Sequence, residues 1–271
     1  MGDPKHRDET GQRADLASLR ARVRAIERGG AEAERGARFS LGHAALDGHL
    51  GGGLSAGRVH ELVGEARSEL RDGSVFGFAA ALLVRLLASP VARRGGEILW
   101  CAREANMFGG APYGWGLKAL GLDPERVLFV RARDETDRLW AMEEGLRCGG
   151  LAAVVAELGP ARPGEAGRVA ERRLQLAAEA SGVSGFLLRP LASTVTTGAA
   201  ESRWRIAAAP SGGSLDPVWS VSLERLRGGR SGAWQLLWAM SDGRFREAEE
   251  FVSVPEEVPE ARPAAGRSAA A

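Results

Sequence analysis

Val59-His60-Glu61-Leu62-Val63-Gly64 reads as a short buried strand that stops at glycine. After eight intervening residues, Gly73 through Ala88 reads as an apolar helix ended by Ser89-Pro90. Downstream, the same alternation repeats. Ile98-Leu99-Trp100-Cys101 and Val127-Leu128-Phe129-Val130 are apolar runs of strand length. Glu135 to Cys148 is a helix with Leu139, Met142 and Leu146 on one face. Leu151 to Glu157 is a fourth strand, Ala166 to Ala180 a helix, and Gly185-Phe186-Leu187-Leu188-Arg189 a fifth strand. Strands that are apolar throughout, not alternating, and separated by helices predict a parallel sheet buried on both faces. After Pro190 the helical pattern stops. Trp204–Ala208, Val218–Leu223 and Ala233–Trp238 read as strands, the last two joined by the Gly-rich turn 225–232, which predicts an antiparallel extension of the sheet.

Upstream, Leu41, Leu46 and Leu50 precede the turn Gly51-Gly52-Gly53. Before them, Leu16, Leu19, Val23 and Ile26 recur at three- and four-residue steps and predict an amphipathic helix ended by Gly29-Gly30. Its narrow apolar seam suits docking on the same chain or on a partner. Residues 1–36 are thus a tail and helix, 37–252 one α/β domain with a C-terminal strand extension, and 253–271 a Pro-, Glu- and Ala-rich tail expected to be disordered.

Composition narrows the chemistry. Of 271 residues, 36 are basic and 35 acidic, so global charge favours neither nucleic acid nor membrane, and any such surface must be local. Cys101 and Cys148 make no disulfide framework, which points to a reducing cytosol. The polar start Met-Gly-Asp-Pro-Lys-His is unlike a signal peptide, and the longest apolar run is broken by Arg85, so a cytoplasmic protein is expected. His6, His43, His49 and His60 lack metal-ligand spacing, and Ser68 and Ser74 have no adjacent base; neither a metal, a cofactor nor a nucleophilic hydrolase is expected.

A strand ending in glycine, a short loop and a helix is where an NTPase holds its phosphates, through loop amides, a lysine and a magnesium-binding hydroxyl. The pattern needed is GxxxxGK[ST]; here it reads Gly64-Glu65-Ala66-Arg67-Ser68-Glu69-Leu70-Arg71, with leucine in the lysine position. An insertion brings Gly73-Ser74 to the helix start but supplies no lysine; the only lysines are Lys5 and Lys118. Arg67 or Arg71 would have to stand in, and an arginine fork is not an equivalent point charge. Three readings stay open: a structural relic, nucleotide binding without turnover, and a working ATPase.

The run Leu46-Asp47 … Gly52-Gly53-Leu54-Ser55-Ala56-Gly57-Arg58-Val59-His60-Glu61-Leu62-Val63-Gly64 resembles the lead-in to the RecA ATPase core. Leu120-Gly121-Leu122-Asp123 through Val130 resembles the step into its next strand. With its altered phosphate loop, and with Trp204-Arg205, Pro217-Val218-Trp219, Leu226-Arg227-Gly228-Gly229 and Trp234 through Trp238, the chain is more similar to the RecA-like ImuA family of bacterial inducible-mutagenesis cassettes. That resemblance implies a RecA-like core and a role in damage-induced translesion DNA synthesis. The partners it implies are an ImuB-type Y-family polymerase homologue and an error-prone DnaE-type polymerase, with RecA and single-stranded DNA as further candidates. It also maps Glu104 onto the catalytic glutamate of the RecA core, and Glu157 onto its magnesium-associated acid; a solvated acid at a strand end is the alternative for each. A non-catalytic adaptor leads, with a DNA-dependent ATPase of recombinase type and a SulA-like division inhibitor as alternatives.

The nucleotide-binding candidates are therefore Gly64, Arg67, Ser68, Arg71, Gly73, Ser74, Glu104 and Glu157, in a degenerate site. A second group, Arg225, Arg227 and Arg230 with Trp234 and Trp238, could contact DNA or a partner, or be a solvated hairpin above core tryptophans. The segment Met107 to Trp115 reads as an apolar-aromatic loop, either packed or a contact surface.

Overall fold

A computed structural model describes residues 36–65, 73–92, 96–103, 112–160, 165–189 and 198–248. The N-terminal helix and the tail from residue 253 expected above lie outside the described residues. The backbone of the fold is one nine-stranded sheet. Its strands are β3 (Val59–Gly64), β4 (Glu97–Arg103), β5 (Val127–Ala132), β6 (Leu151–Glu157), β7 (Ser184–Arg189), β8 (Ser202–Ala209), β9 (Val218–Leu226), β10 (Gly232–Ala239) and β11 (Arg244–Glu247). They lie in the order β11-β10-β9-β8-β3-β7-β6-β4-β5. From β8 to β5 every pairing is parallel; β8–β9, β9–β10 and β10–β11 are antiparallel. The predicted α/β fold with a parallel sheet and an antiparallel C-terminal extension is thus observed. One detail is new: β8, the first strand of the extension, runs parallel to β3.

The connections explain the apolar strands. The helices α2 (Ser74–Leu87), α4 (Glu135–Arg147) and α5 (Glu165–Ser181) each link one parallel strand to another and cover the sheet from both sides. On one face α2 packs Phe78, Leu82 and Leu86 against Leu62, Trp100, Val155, Phe186, Trp204 and Trp219. On the other, Met142 and Leu146 of α4 and Leu174 and Ala178 of α5 cover Val59, Cys101, Val154, Ala156 and Leu187. Val154 and Val155 therefore serve opposite cores, and neither position tolerates a polar residue. Asp134 caps α4 by accepting from the Asp137 N–H at 2.8 Å.

Small elements escaped the periodicity. A two-stranded antiparallel sheet, β1 (Arg38–Phe39) with β2 (Leu54–Ser55), brackets α1 (Ala44–His49). α3 (Gly114–Ala119) occupies the end of the segment read as a loop; it is anchored by the buried Leu117. Two glycines in six residues hide it from propensity, and residues 107–111 lie outside the described residues. The four-residue β11 pairs Phe245 opposite Trp238, too short to show a period.

A buried polar relay crosses the junction between the small sheet and the large one. His60, fully enclosed, has Nε2 at 2.8 Å from the Ser55 carbonyl oxygen and Nδ1 at 2.7 Å from the Ser202 hydroxyl. A carbonyl only accepts, so Nε2 carries the proton and Nδ1 accepts from Ser202. The Ser202 oxygen in turn accepts from Trp204 Nε1 at 2.7 Å. Burial holds the imidazole down at about 4, opposed by its hydrogen bond with Ser55 and assisted by the charges of Arg38 and Arg58.

Candidate functional site

The parallel strands β3, β4, β6 and β7 end at Gly64, Arg103, Glu157 and Arg189 along one edge of the sheet. In open α/β sheets ligands bind outside the carboxyl ends of the strands. α2 begins here at Ser74, which is buried, after an N-cap Gly73 whose lack of a side chain leaves no capping hydrogen bond. Gly64 is buried at the tip of β3, and its carbonyl accepts from Arg205 at 3.3 Å. Arg67, Ser68, Arg71 and Glu104 lie outside the described residues. Gly64 and Glu157 thus lie at the carboxyl ends of β3 and β6, with β7 between them, and Gly73 and Ser74 at the start of α2.

Glu157 is 1 % exposed, and both its oxygens are taken. Oε1 accepts from Trp100 Nε1 at 2.8 Å and Oε2 from the Arg103 N–H at 3.2 Å. Arg138 donates to the Glu157 carbonyl at 2.7 Å and to the carbonyls of Ala132 and Arg133, clamping the ends of β5 and β6. Burial pushes the Glu157 carboxyl above the usual carboxylate range, against the pull of these donors. In this arrangement the carboxylate fixes Trp100 and the β4 terminus. Burial also pushes the neighbouring Cys101 thiol up to about 12, which makes it a poor nucleophile.

Sequence reasoning missed the largest charged feature next to this edge. Glu61, on β3, pairs through Oε1 with Arg189 of β7 at 2.7 Å and through Oε2 with Arg203 of β8 at 2.5 Å. Arg203 also reaches Glu224 of β9 at 2.9 Å, and Arg205 reaches Glu224 at 2.5 Å. At the other end Glu171 of α5 lies 3.4 Å from Arg189 and accepts from the Ala199 N–H at 3.1 Å. Burial, then the nearby Glu61, raises the Glu171 carboxyl. Arg189 additionally donates to the Gly159 carbonyl at 2.7 Å. Glu171, Arg189, Glu61, Arg203, Glu224 and Arg205 thus alternate in sign across four strands and a helix. One signal was available: Arg203 and Arg205 alternate with Trp204 and Ile206, which marks a charged and an apolar face on one strand.

The tryptophan-arginine group is divided. Trp234 and Trp238 share one face, as their parity predicts, and it is the face that α2 covers. Trp238 is fully enclosed, packs edge-on to Phe245 at 4.9 Å and donates to the Leu120 carbonyl at 3.1 Å. Trp234 is half-buried, edge-on to His49 at 5.0 Å. Arg225 is partly buried and donates to the Gly198 carbonyl at 2.7 Å. Arg227 and Arg230 are exposed in the turn; Arg227 lies 3.8 Å from Glu179, and the Arg230 carbonyl is 2.9 Å from His49 Nε2. Among the described residues, no cluster of His, Cys, Asp or Glu is placed to hold a metal, and no helix is long and apolar enough to cross a membrane.

Two relatives extend the picture. The chain is 41% identical over 215 residues to Protein ImuA of Caulobacter vibrioides strain NA1000 / CB15N, covering 73% of this chain and 82% of the relative. It matches Protein ImuA of strain ATCC 19089 / CIP 103742 / CB 15 of the same species with the same identity and coverage. No family model matches the chain.

Proposed function

This chain belongs to the ImuA family, and from that premise we propose that it is a non-catalytic, RecA-like accessory protein of damage-induced translesion DNA synthesis. It acts as an adaptor between an ImuB-type Y-family polymerase homologue and an error-prone DnaE-type polymerase, in the cytoplasm. The observation that carries the reading is the junction between Gly64 and Ser74. A strand that ends at Gly64 and a helix that starts at Ser74 flank it, and its sequence offers leucine, at position 70, in place of the lysine, together with the acids Glu65, Glu69 and Asp72. Lysine neutralises the β/γ-phosphates in such sites, and carboxylates there repel a triphosphate. The occupation of both Glu157 oxygens by Trp100 and Arg103 supports the same reading.

The partner-facing surface in this reading is the turn carrying Arg227 and Arg230, with the open edge of Trp234 beside it. Trp238, near the other end of β10 and enclosed against Phe245, belongs to the core behind that strand. Two measurements test the proposal. The purified chain should release no phosphate from ATP above background, with or without single-stranded DNA. It should also capture both polymerase partners from the same source when they are co-expressed. DNA-stimulated hydrolysis that Glu104→Gln abolishes would overturn the non-catalytic reading; absence of both partners from the captured fraction would overturn the adaptor reading.

A further inference from the structure

The two edges of the nine-stranded sheet are finished differently. β11 is four residues long, with Arg244, Arg246 and Glu247 exposed. Short charged edges of this kind resist pairing with other chains. β5, at the opposite edge, is six residues long and pairs with β4 alone among the described strands. Three consecutive apolar side chains stand out along it: Leu128 is 51 % exposed, Phe129 37 % and Val130 39 %. α3 packs against the turn that leads into β5 and adds Tyr113 and Trp115, 72 % and 70 % exposed. A long apolar edge with unpaired backbone groups is a template for an added strand.

We propose that this edge receives, as an added strand, residues 249–257 of a second copy of the chain. The segment reads Glu249-Glu250-Phe251-Val252-Ser253-Val254-Pro255-Glu256-Glu257. Phe, Val and Val favour a pleated, half-buried surface. Its centre, Phe251 to Val254, carries three apolar side chains around Ser253, against three consecutive ones at Leu128 to Val130. Arg131 and Arg133, both exposed, follow those residues. Because glutamates flank the donor segment at both ends, carboxylates meet these arginines whichever way the strand runs.

The donor must be another copy. β5 and β11 lie eight inter-strand spacings apart, roughly 38 Å at about 4.8 Å each. The three residues from Ala248 to Phe251 span about 10 Å at most. A contact in which the tail of one copy pairs with the edge of the next is head-to-tail, so each bound donor still presents its own open edge. The assembly stands apart from the adaptor reading, since it needs neither polymerase.

Sedimentation velocity on the full-length chain tests it, with two substitutions at exposed or tail positions. Val130→Asp blocks the receiving edge and leaves the tail intact; Val252→Asp spoils the donor strand and leaves the edge intact. Circular dichroism checks that each retains the wild-type spectrum. The wild type should grow beyond twice its 28.6 kDa mass as concentration rises. Each variant alone should stay monomeric, with self-association weakened by about tenfold or more. An equimolar mixture of the two should form a one-to-one dimer and stop there, because only one tail and one edge remain functional. A wild type that stays monomeric throughout, variants that assemble like the wild type, or a mixture that does not pair would each overturn the proposal. Partner capture by the monomeric Val130→Asp chain separates this result from that of the adaptor reading.

Discussion

Lowering the pH from 7 to 5 is expected to remove roughly 2 kcal/mol of stability through one side chain, His60. The folded protein holds its imidazole at about 4, against 6.5 for an exposed histidine. A proton at Nδ1 would turn an acceptor into a donor facing the Ser202 hydroxyl, whose oxygen already receives Trp204 Nε1. Because the folded value is depressed, the unfolded chain binds the proton first as pH falls. Stability attributable to His60 is therefore full at pH 7 and is lost progressively below about 6.5. At about 1.4 kcal/mol per pH unit, the loss is roughly 2 kcal/mol at pH 5 and about 3 kcal/mol at pH 4. Glu157 and Glu171 act in the opposite sense: their raised carboxyls favour the folded state as pH falls. The decisive measurement is therefore a difference. Urea unfolding of the wild type and of His60→Gln, which does not titrate but can bridge the same two partners, is followed from pH 7 to pH 4. The wild-type advantage should shrink by about 2 kcal/mol between pH 7 and 5. A gap that stays constant to within about 0.5 kcal/mol would refute the argument.

Glu61→Gln should leave Arg189 and Arg203 facing a neutral amide inside the sheet; a loss of about 3 kcal/mol and a melting temperature lower by on the order of 10 °C follow, and a calorimetric shift under about 2 °C would contradict it. Glu157→Gln should place an amide NH2 opposite either Trp100 Nε1–H or the Arg103 N–H, at a cost of about 2 kcal/mol in chemical denaturation; an unaltered midpoint would show that neither bond matters. Arg227→Ala combined with Arg230→Ala should weaken partner or single-stranded DNA binding and lower damage-induced mutagenesis while melting like the wild type. Normal binding and full mutagenesis in that double variant would reduce the turn to a solvated loop.

The parallel strands were legible because burial on two faces forces apolar residues at every position, as at Leu151 to Ala156. The helices between them were legible through their three- and four-residue steps. α3 and β11 were not, since two glycines and a length of four leave no period to detect. Parity placed Trp234 and Trp238 on one face, but parity does not say which face meets water. That was decided by α2, whose position depends on contacts far along the chain. The ionic series through Glu61 was invisible for a related reason: Arg189 and Arg203 stand 128 and 142 residues away, and only the strand order makes them neighbours. A glutamate inside an apolar strand was itself a hint, because burial of an unpaired carboxylate is too costly to persist.

That ionic series also binds the parallel sheet to the strands that follow it. Glu61 lies in β3 and Glu224 in β9, with Arg203 held between them. Prying β9 away would expose one guanidinium to a dry site with half its counter-charge gone, so the extension has no cheap way to open by itself. In hydrogen exchange, the central amides of β3, β8 and β9 should therefore report a single opening free energy, close to that of global unfolding. For the same reason the C-terminal strands are not an exchangeable appendage: a homologous extension grafted onto this sheet would have to bring a carboxylate to the position of Glu224, or the host would melt early.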